Sequence, residues 1–425
     1  MSFNQYTWDL YKQTTIGIEM IKYFSDAGGY VLFKDYCPYA NFIPEDLYND
    51  WLENIYCYGV SDYDHPSSLE EAKDLYISLI TLGIRVEGQQ WLPANDFKNM
   101  LGIIQPMSYV LSQFAPEYFF PYLFLCRIFE LNKIADFFNI DLPNIPKRTD
   151  YKGRCMYYWE LCEVFYLFRK ENGLSPADLW SFLYDFAPNN LPSEKIDMPK
   201  PSQVWFIGGR LYQEDKSLES KFWQSSPETK KGDILVHYET SPISAITCIE
   251  ISLTDGVIDP LFRYYGCIYI GNRINIPHIT LKELQTDEYF FKHPLVRKNF
   301  QGVNGWSVNS ENYSELLRMI KTKGFDIEVL PKLYAPTLPK DVIIEYEHDV
   351  EQQLLEPLLN SMGWYENKDF IRQLPIQAGR GHRIFPDYAL HYGNKPNEER
   401  AKVLIEAKLC MRNNKEREEA YLQAR

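Results

Sequence analysis

Several kinds of machinery are excluded by what this chain does not contain. No Gly-Lys dipeptide occurs anywhere in its 425 residues, so it carries no phosphate-cradling P-loop and no helicase motor built on one. The seven histidines form no His-Glu-x-x-His pair and there is no Gly-x-Ser-x-Gly, which removes the zincin proteases and the nucleophile-elbow hydrolases. Eight cysteines are present, yet none stands in a Cys-x-x-Cys pair or in a Cys/His cluster at zinc spacing. Scattered in this way, they read as small buried hydrophobes in a reducing cytosol. No apolar run approaches the roughly 18 residues that span a bilayer. Residues 1–9 lack the basic start and apolar core of a signal peptide. A cytoplasmic protein with no membrane partner is expected.

What is present suffices for several cores. With 45% hydrophobic residues over this length, two or three domains are expected. Residues 1–195 carry apolar side chains at helical spacings of three and four, as in 69–76 and 156–168. Ser175-Pro176-Ala177-Asp178 has the N-cap serine, first-turn proline and following acid of a helix start. The aromatic run Tyr118-Phe119-Phe120-Pro121-Tyr122-Leu123-Phe124 reads as core packing. No catalytic spacing appears in this acidic helical region, so its candidate roles are sensing or assembly, the latter by self-association or docking of a partner subunit. Pro188, Pro192, Pro199 and Pro201 then mark a boundary. Beyond it the pattern becomes β, with short strands in 203–207, 232–238, 245–251 and 266–270, which suggests a small barrel over about 200–325. The fold class expected is multidomain α+β, with a third, α/β domain over 340–425.

Net charge is −14, which by itself argues against nucleic acid. Its distribution is uneven: residues 364–425 hold 12 basic against 9 acidic side chains, while the acidic excess lies mainly in the helical region. A polyanion could be met locally by Arg372, Arg380, Arg383, Lys402, Arg412, Lys415 and Arg417.

The most specific chemistry lies in the same region. Phe385-Pro386-Asp387-Tyr388-Ala389-Leu390 reads as a strand opening on an acid, and Lys402-Val403-Leu404-Ile405-Glu406-Ala407-Lys408 as a strand with an acid and a lysine at its exit. Two carboxylates and an ammonium on neighbouring strands suit a divalent metal and a developing phosphorane charge. Glu-x-Lys alone is common on strands and Pro-Asp in turns; the order in which they occur here is what makes them specific. Upstream, residues 347–359 carry Glu347 and Glu351 ahead of Glu356-Pro357-Leu358-Leu359, then Met362-Gly363-Trp364.

This series resembles the PD-(D/E)xK nuclease superfamily, in particular the N-terminal nuclease domain of type I restriction R-subunits. The resemblance implies a restriction-endonuclease-like α/β/α domain with a central mixed sheet. It further implies that Asp387 and Glu406 bind Mg²⁺, or Mn²⁺ in its place, and that Lys408 positions or polarises the attacking water. Glu347 would add an acid from the helix, although spacing does not choose between Glu347 and Glu351. Gln423 resembles the glutamine of the family's Gln-x-x-x-Tyr helix, and Arg425 comes before the tyrosine position, so a missing closing element is expected. The R-subunits place this domain ahead of a motor, which this sequence lacks.

The middle region is similar to the EVE domain, a PUA-like relative of YTH. The features are Trp223, Pro227, Lys231-Gly232-Asp233 and Tyr238, then Ile276-Pro277, Leu281-Lys282-Glu283-Leu284 and Asn304-Gly305-Trp306. Such domains take a flipped or modified base into an aromatic cage. The resemblance implies Trp223, Tyr238 and Trp306 as cage candidates, with Asn304 as an edge reader and Trp205, Tyr264, Tyr265 and Asn299 in reserve. The function expected is a Mg²⁺-dependent endonuclease of a restriction or anti-phage system, acting on DNA chosen by a base-reading module. Two alternatives stay open: a non-catalytic nucleic-acid-binding or assembly subunit, and a nuclease directed at RNA.

Overall fold

The computed structural model describes residues 3–37, 40, 43–86, 89–192, 198–210, 220–334, 342–379, 382–395 and 399–409. It is an α+β protein that divides into two compact units. The first comprises Met1–Ile196 and the segments Lys221–Pro227 and Gly256–Tyr269; the second comprises Asp197–Ser220, Glu228–Asp255 and Ile270–Arg425. The first division falls within the proline-rich stretch. The middle and last expected domains share the second unit, apart from the two segments that belong to the first.

The first unit is mainly helical. Its helices include Gln5–Gln13, Thr15–Asp26, Leu69–Leu82, Ile104–Phe114 and Tyr151–Glu171. Ser68 caps one by accepting from the Glu71 amide, and Ser175 and Asp178 form a reciprocal capping box at another. The aromatic excess is packing: Trp8, Tyr76, Tyr122, Tyr158 and Trp159 are fully buried. Residues 119–124 are non-helical and almost wholly buried, and Tyr158 donates to the Phe120 carbonyl at 2.8 Å. Buried Arg154 ties the returning segment 256–269 into this unit through the carbonyls of Pro260 at 2.8 Å and Phe262 at 2.6 Å. No helix among the described residues is long and apolar enough to cross a membrane.

The second unit is built on a mixed sheet. Its strand order is residues 270–280 of Gly266–Thr280, then Ala245–Ser252, Ile234–Glu239, Val204–Gly209 and Trp306–Val308. Val204–Gly209 runs parallel to Ile234–Glu239, and the other pairings are antiparallel. Val204, Phe206, Ile234, Val236 and Ile249 alternate onto one face and pack with Leu316 and Ile320 of the helix Ser310–Thr322. Asp233, in the Lys-Gly-Asp turn, is buried and knots that turn to the first strand by accepting from the Lys230 amide at 2.8 Å and the Trp205 indole at 2.9 Å.

The remainder of this unit begins with a helix over 347–361 that contains a π-helical turn, Glu351–Leu355. Asp349 starts it by accepting from the Glu345 and Tyr346 amides, both at 2.9 Å. Gly363, with φ of +80°, follows its last residues in the left-handed conformation that closes helices. A three-stranded sheet, Phe370–Arg372, Tyr388–Leu390 and Val403–Ile405, has Tyr388–Leu390 in the middle, and Leu359, Phe370, Tyr388 and Leu390 form its core. The expected mixed sheet is antiparallel throughout its described strands. The second helical layer of an α/β/α sandwich would fall beyond Leu409, outside the described residues.

Candidate active site

Register brings the acids together. Tyr388 pairs with Ile405, so Asp387 leaves the central strand at the level where Glu406 leaves its neighbour. Asp387 Oδ2 accepts from the Ala407 amide at 2.6 Å, and Oδ1 accepts from Gln373 Nε2 at 3.1 Å. Lys408 Nζ lies 3.2 Å from Glu406 Oε1 and 3.6 Å from Glu347 Oε1. The helix, the central strand and the outer strand thus each supply charge to one patch. Burial acts to lower the Lys408 pKa; its hydrogen bond to Glu406 and the charges of Glu406, Glu347 and Asp387 outweigh this and raise it. Lys408 is therefore an ammonium at neutral pH, suited to stabilising negative charge rather than to accepting a proton.

The two helix acids face different partners. Glu351 is ion-paired with Arg372, whose guanidinium lies over the Tyr388 ring, 5.4 Å from its centroid. The Tyr388 hydroxyl donates to the Glu351 carbonyl at 3.3 Å. Glu351 fastens the helix to the sheet, while Glu347 reaches Lys408. The π-helical turn begins at Glu351, and such turns recur where a helix must aim a functional side chain.

Asp387 and Glu406 offer carboxylate oxygens only. That donor set fits Mg²⁺ or Mn²⁺, which bind through one or two carboxylates and keep several waters. Both are half-buried, so water reaches them. They do not form a tight three-ligand cage with Glu347. Among the described residues, the only His/Cys/Asp/Glu trio with ligand atoms within 4.8 Å of one another is His237, Cys248 and Glu250.

That trio was not legible from spacing, because sheet register creates it: His237 stands opposite Cys248, and Glu250 follows on the same face. His237 Nδ1 is 3.0 Å from Glu250 Oε2, and Arg273 is 2.8 Å from Glu250 Oε1. Burial pushes the Cys248 thiol up to about 12, so it is protonated. Arg273 balances the Glu250 charge, which accounts for the cluster as polar bonding inside the sheet.

The expected base-reading residues are dispersed. Tyr238 is a core residue stacked on Phe300, with ring centroids 4.0 Å apart and planes 2° apart. The Asn304 side chain accepts from the Gly208 amide at 2.8 Å and donates to its carbonyl at 3.0 Å, a backbone-bridging role. In the structure the Tyr238 ring and the Asn304 amide thus each have a protein partner. Trp306 is half-buried with Lys298 Nζ 6.0 Å from its ring centroid, and half-buried Trp223 belongs to the first unit. Arg383 is exposed on the strand His382–Ile384. Arg380, Arg412 and Gln423 lie outside the described residues.

Three ion pairs connect the segment 228–255 of the mixed sheet's turns to the three-stranded sheet. They are Lys230 with Asp369, Lys368 with Asp255 at 3.3 Å, and Lys402 with Glu228. Asp369 and Lys402 immediately precede the two outer strands, at the end opposite Asp387 and Glu406.

No family model and no curated protein matches this chain. Among solved structures it is similar to Rpa0253 from Rhodopseudomonas palustris, at 13% identity over 28% of this chain and 94% of that one, with a TM-score of 0.25. A hypothetical protein from Leishmania major is similar at 11% identity over 29% of this chain and 98% of that one, with a TM-score of 0.24. Scores this low do not define a shared fold.

Proposed function

We propose that this protein is a Mg²⁺-dependent nuclease that cuts DNA at the patch formed by Asp387, Glu406, Lys408 and Glu347. The observation that carries the reading is the hydrogen bond from the Ala407 amide to Asp387, which joins the Pro-Asp strand to the middle of the Glu-Ala-Lys motif. Asp387 and Glu406 would hold the metal, which when bound lowers the pKa of a water and offsets phosphate charge. The chain's own part is electrostatic and positional. The Lys408 ammonium stabilises charge on the scissile phosphate's oxygens. Glu347 holds Lys408 from the helix side, and Glu351 with Arg372 fixes the helix that carries Glu347.

Target choice is assigned to the mixed-sheet region, read as EVE-like and base-reading, with half-buried Trp306 as its aromatic candidate. The three ion pairs support a coupling between that region and the cutting sheet. A cytoplasmic restriction or anti-phage role belongs to this same reading. Cleavage of DNA bearing modified cytosines against plain DNA tests it; equal cutting of both removes the reading function while leaving the nuclease intact.

A second reading, a nucleic-acid-binding or assembly subunit that keeps the site as a relic, draws on one observation. Asp387, Glu406 and Glu347 do not converge into a three-ligand group, and Lys408 occupies the space between the two glutamates. Calorimetric titration with Mn²⁺ separates the two: a relic takes up no metal through Asp387 and Glu406.

A further inference from the structure

We infer that Gln373 is a positioning residue for Asp387, setting the orientation of its carboxylate toward the metal; this rests on the nuclease reading above. Gln373 follows the strand Phe370–Arg372, and Arg372 is in register with Tyr388, so Gln373 stands one step past the ladder, beside Asp387. Its amide N–H donates to the Pro386 carbonyl at 3.1 Å, and its side-chain Nε2 donates to Asp387 Oδ1 at 3.1 Å. One residue therefore grips both members of the Pro-Asp pair.

Its backbone is unusual for its type. Gln373 has φ of +53°, in the left-handed region that is disfavoured for a non-glycine residue. Such conformations persist where surrounding contacts over-determine them, and they cluster at ligand sites. Here the following Leu374 is buried and precedes Pro375, which confines it to extended backbone. Glycine would occupy position 373 without strain, yet it could not reach Asp387.

The chemistry of the donor explains the choice of glutamine. Each Asp387 oxygen receives one N–H, from Ala407 on Oδ2 and from Gln373 on Oδ1, which fixes the plane of the carboxylate. Each oxygen retains a further lone pair for a cation. A lysine or arginine at 373 would also donate, but its charge would compete with the metal for the same anion. A neutral amide orients the carboxylate and leaves its charge available. This is the outer-shell arrangement whose loss typically weakens metal binding 10- to 100-fold.

The test uses the full chain and two variants, Gln373→Gly and Gln373→Lys. Gln373→Gly removes the donor and relieves the left-handed strain, so thermal unfolding in EDTA is expected to be unchanged or shifted upward. Its Mn²⁺ dissociation constant, read by calorimetry, is expected to rise about tenfold, and the Mg²⁺ concentration for half-maximal cleavage to rise with it. Gln373→Lys restores a donor, yet is expected to weaken Mn²⁺ binding at least as much. Wild-type Mn²⁺ affinity in Gln373→Gly, or recovery of affinity in Gln373→Lys, overturns the assignment while the nuclease reading stands. Absence of Mn²⁺ binding and of cleavage in the wild type overturns both.

Discussion

The carboxylate of Asp387 accepts a 2.6 Å hydrogen bond from the backbone amide of Ala407. Residues 20 positions apart in sequence are thereby locked, and the amide belongs to the residue between Glu406 and Lys408. The bond sets the two ends of the motif at a separation that side-chain motion alone would not maintain.

The different partners of Glu347 and Glu351 predict opposite phenotypes. Glu347→Gln should lower metal-dependent cleavage at least about tenfold with an unchanged melting temperature, since its side chain is 52% exposed and contacts Lys408. Glu351→Gln should cost on the order of 1–2 kcal/mol of stability, because it leaves the half-buried Arg372 without its carboxylate. Thermal unfolding and initial cleavage rates, measured side by side, check both. Loss of activity without loss of stability in Glu351→Gln would reverse the assignment.

The Lys230–Asp369 pair predicts where the two sheets of the second unit are anchored. Asp369 is nearly buried and also accepts from the Tyr365 amide at 3.0 Å. Asp369→Ala should therefore destabilise by roughly 1–3 kcal/mol, the penalty for a desolvated group left unpaired. Lys368→Ala and Lys402→Ala, at exposed pairs, should each cost under about 0.5 kcal/mol. Hydrogen exchange of residues 370–372 and 403–405 reads the difference, with faster exchange expected in Asp369→Ala alone.

The first unit should lose stability as pH rises. Burial pushes the Asp259 carboxyl up to about 7, against the hydrogen bonds it accepts from the Leu261 and Phe262 amides. A raised carboxyl pKa means that the folded state holds a proton the unfolded chain releases near pH 4. Its stabilisation is full below the unfolded pKa and is lost as pH climbs from there through about 7. Asp259→Asn keeps an acceptor for both amides. It should flatten this dependence and raise the melting temperature above pH 7, and an unchanged pH profile would contradict the account.

Much of this architecture follows from local pattern. The apolar runs at 204–207, 234–238 and 403–405 became strands because their alternation or density matches a pleated sheet, and Ser175 and Asp178 started a helix by reciprocal capping. The parallel pairing of Val204–Gly209 with Ile234–Glu239 was not legible, since no local signal encodes which distant strands become neighbours. The same holds for the His237, Cys248 and Glu250 trio, which exists only through register. The partners that the fold gives Trp205, Tyr238 and Asn304, namely Asp233, Phe300 and Gly208, lie far away in sequence and were likewise not legible. Gln373 carried no motif at all, and only its φ and its bond to Asp387 single it out.

The proposed activity of Asp387, Glu406 and Lys408 is metal-dependent phosphodiester hydrolysis. The most direct measurement is cleavage of double-stranded DNA with Mg²⁺ by wild type, Asp387→Ala and Lys408→Ala, each first shown to be folded by its melting temperature. Cutting by the wild type that EDTA abolishes, with at least about a hundredfold loss in each variant, is the result predicted. Unchanged cutting in both folded variants would contradict it.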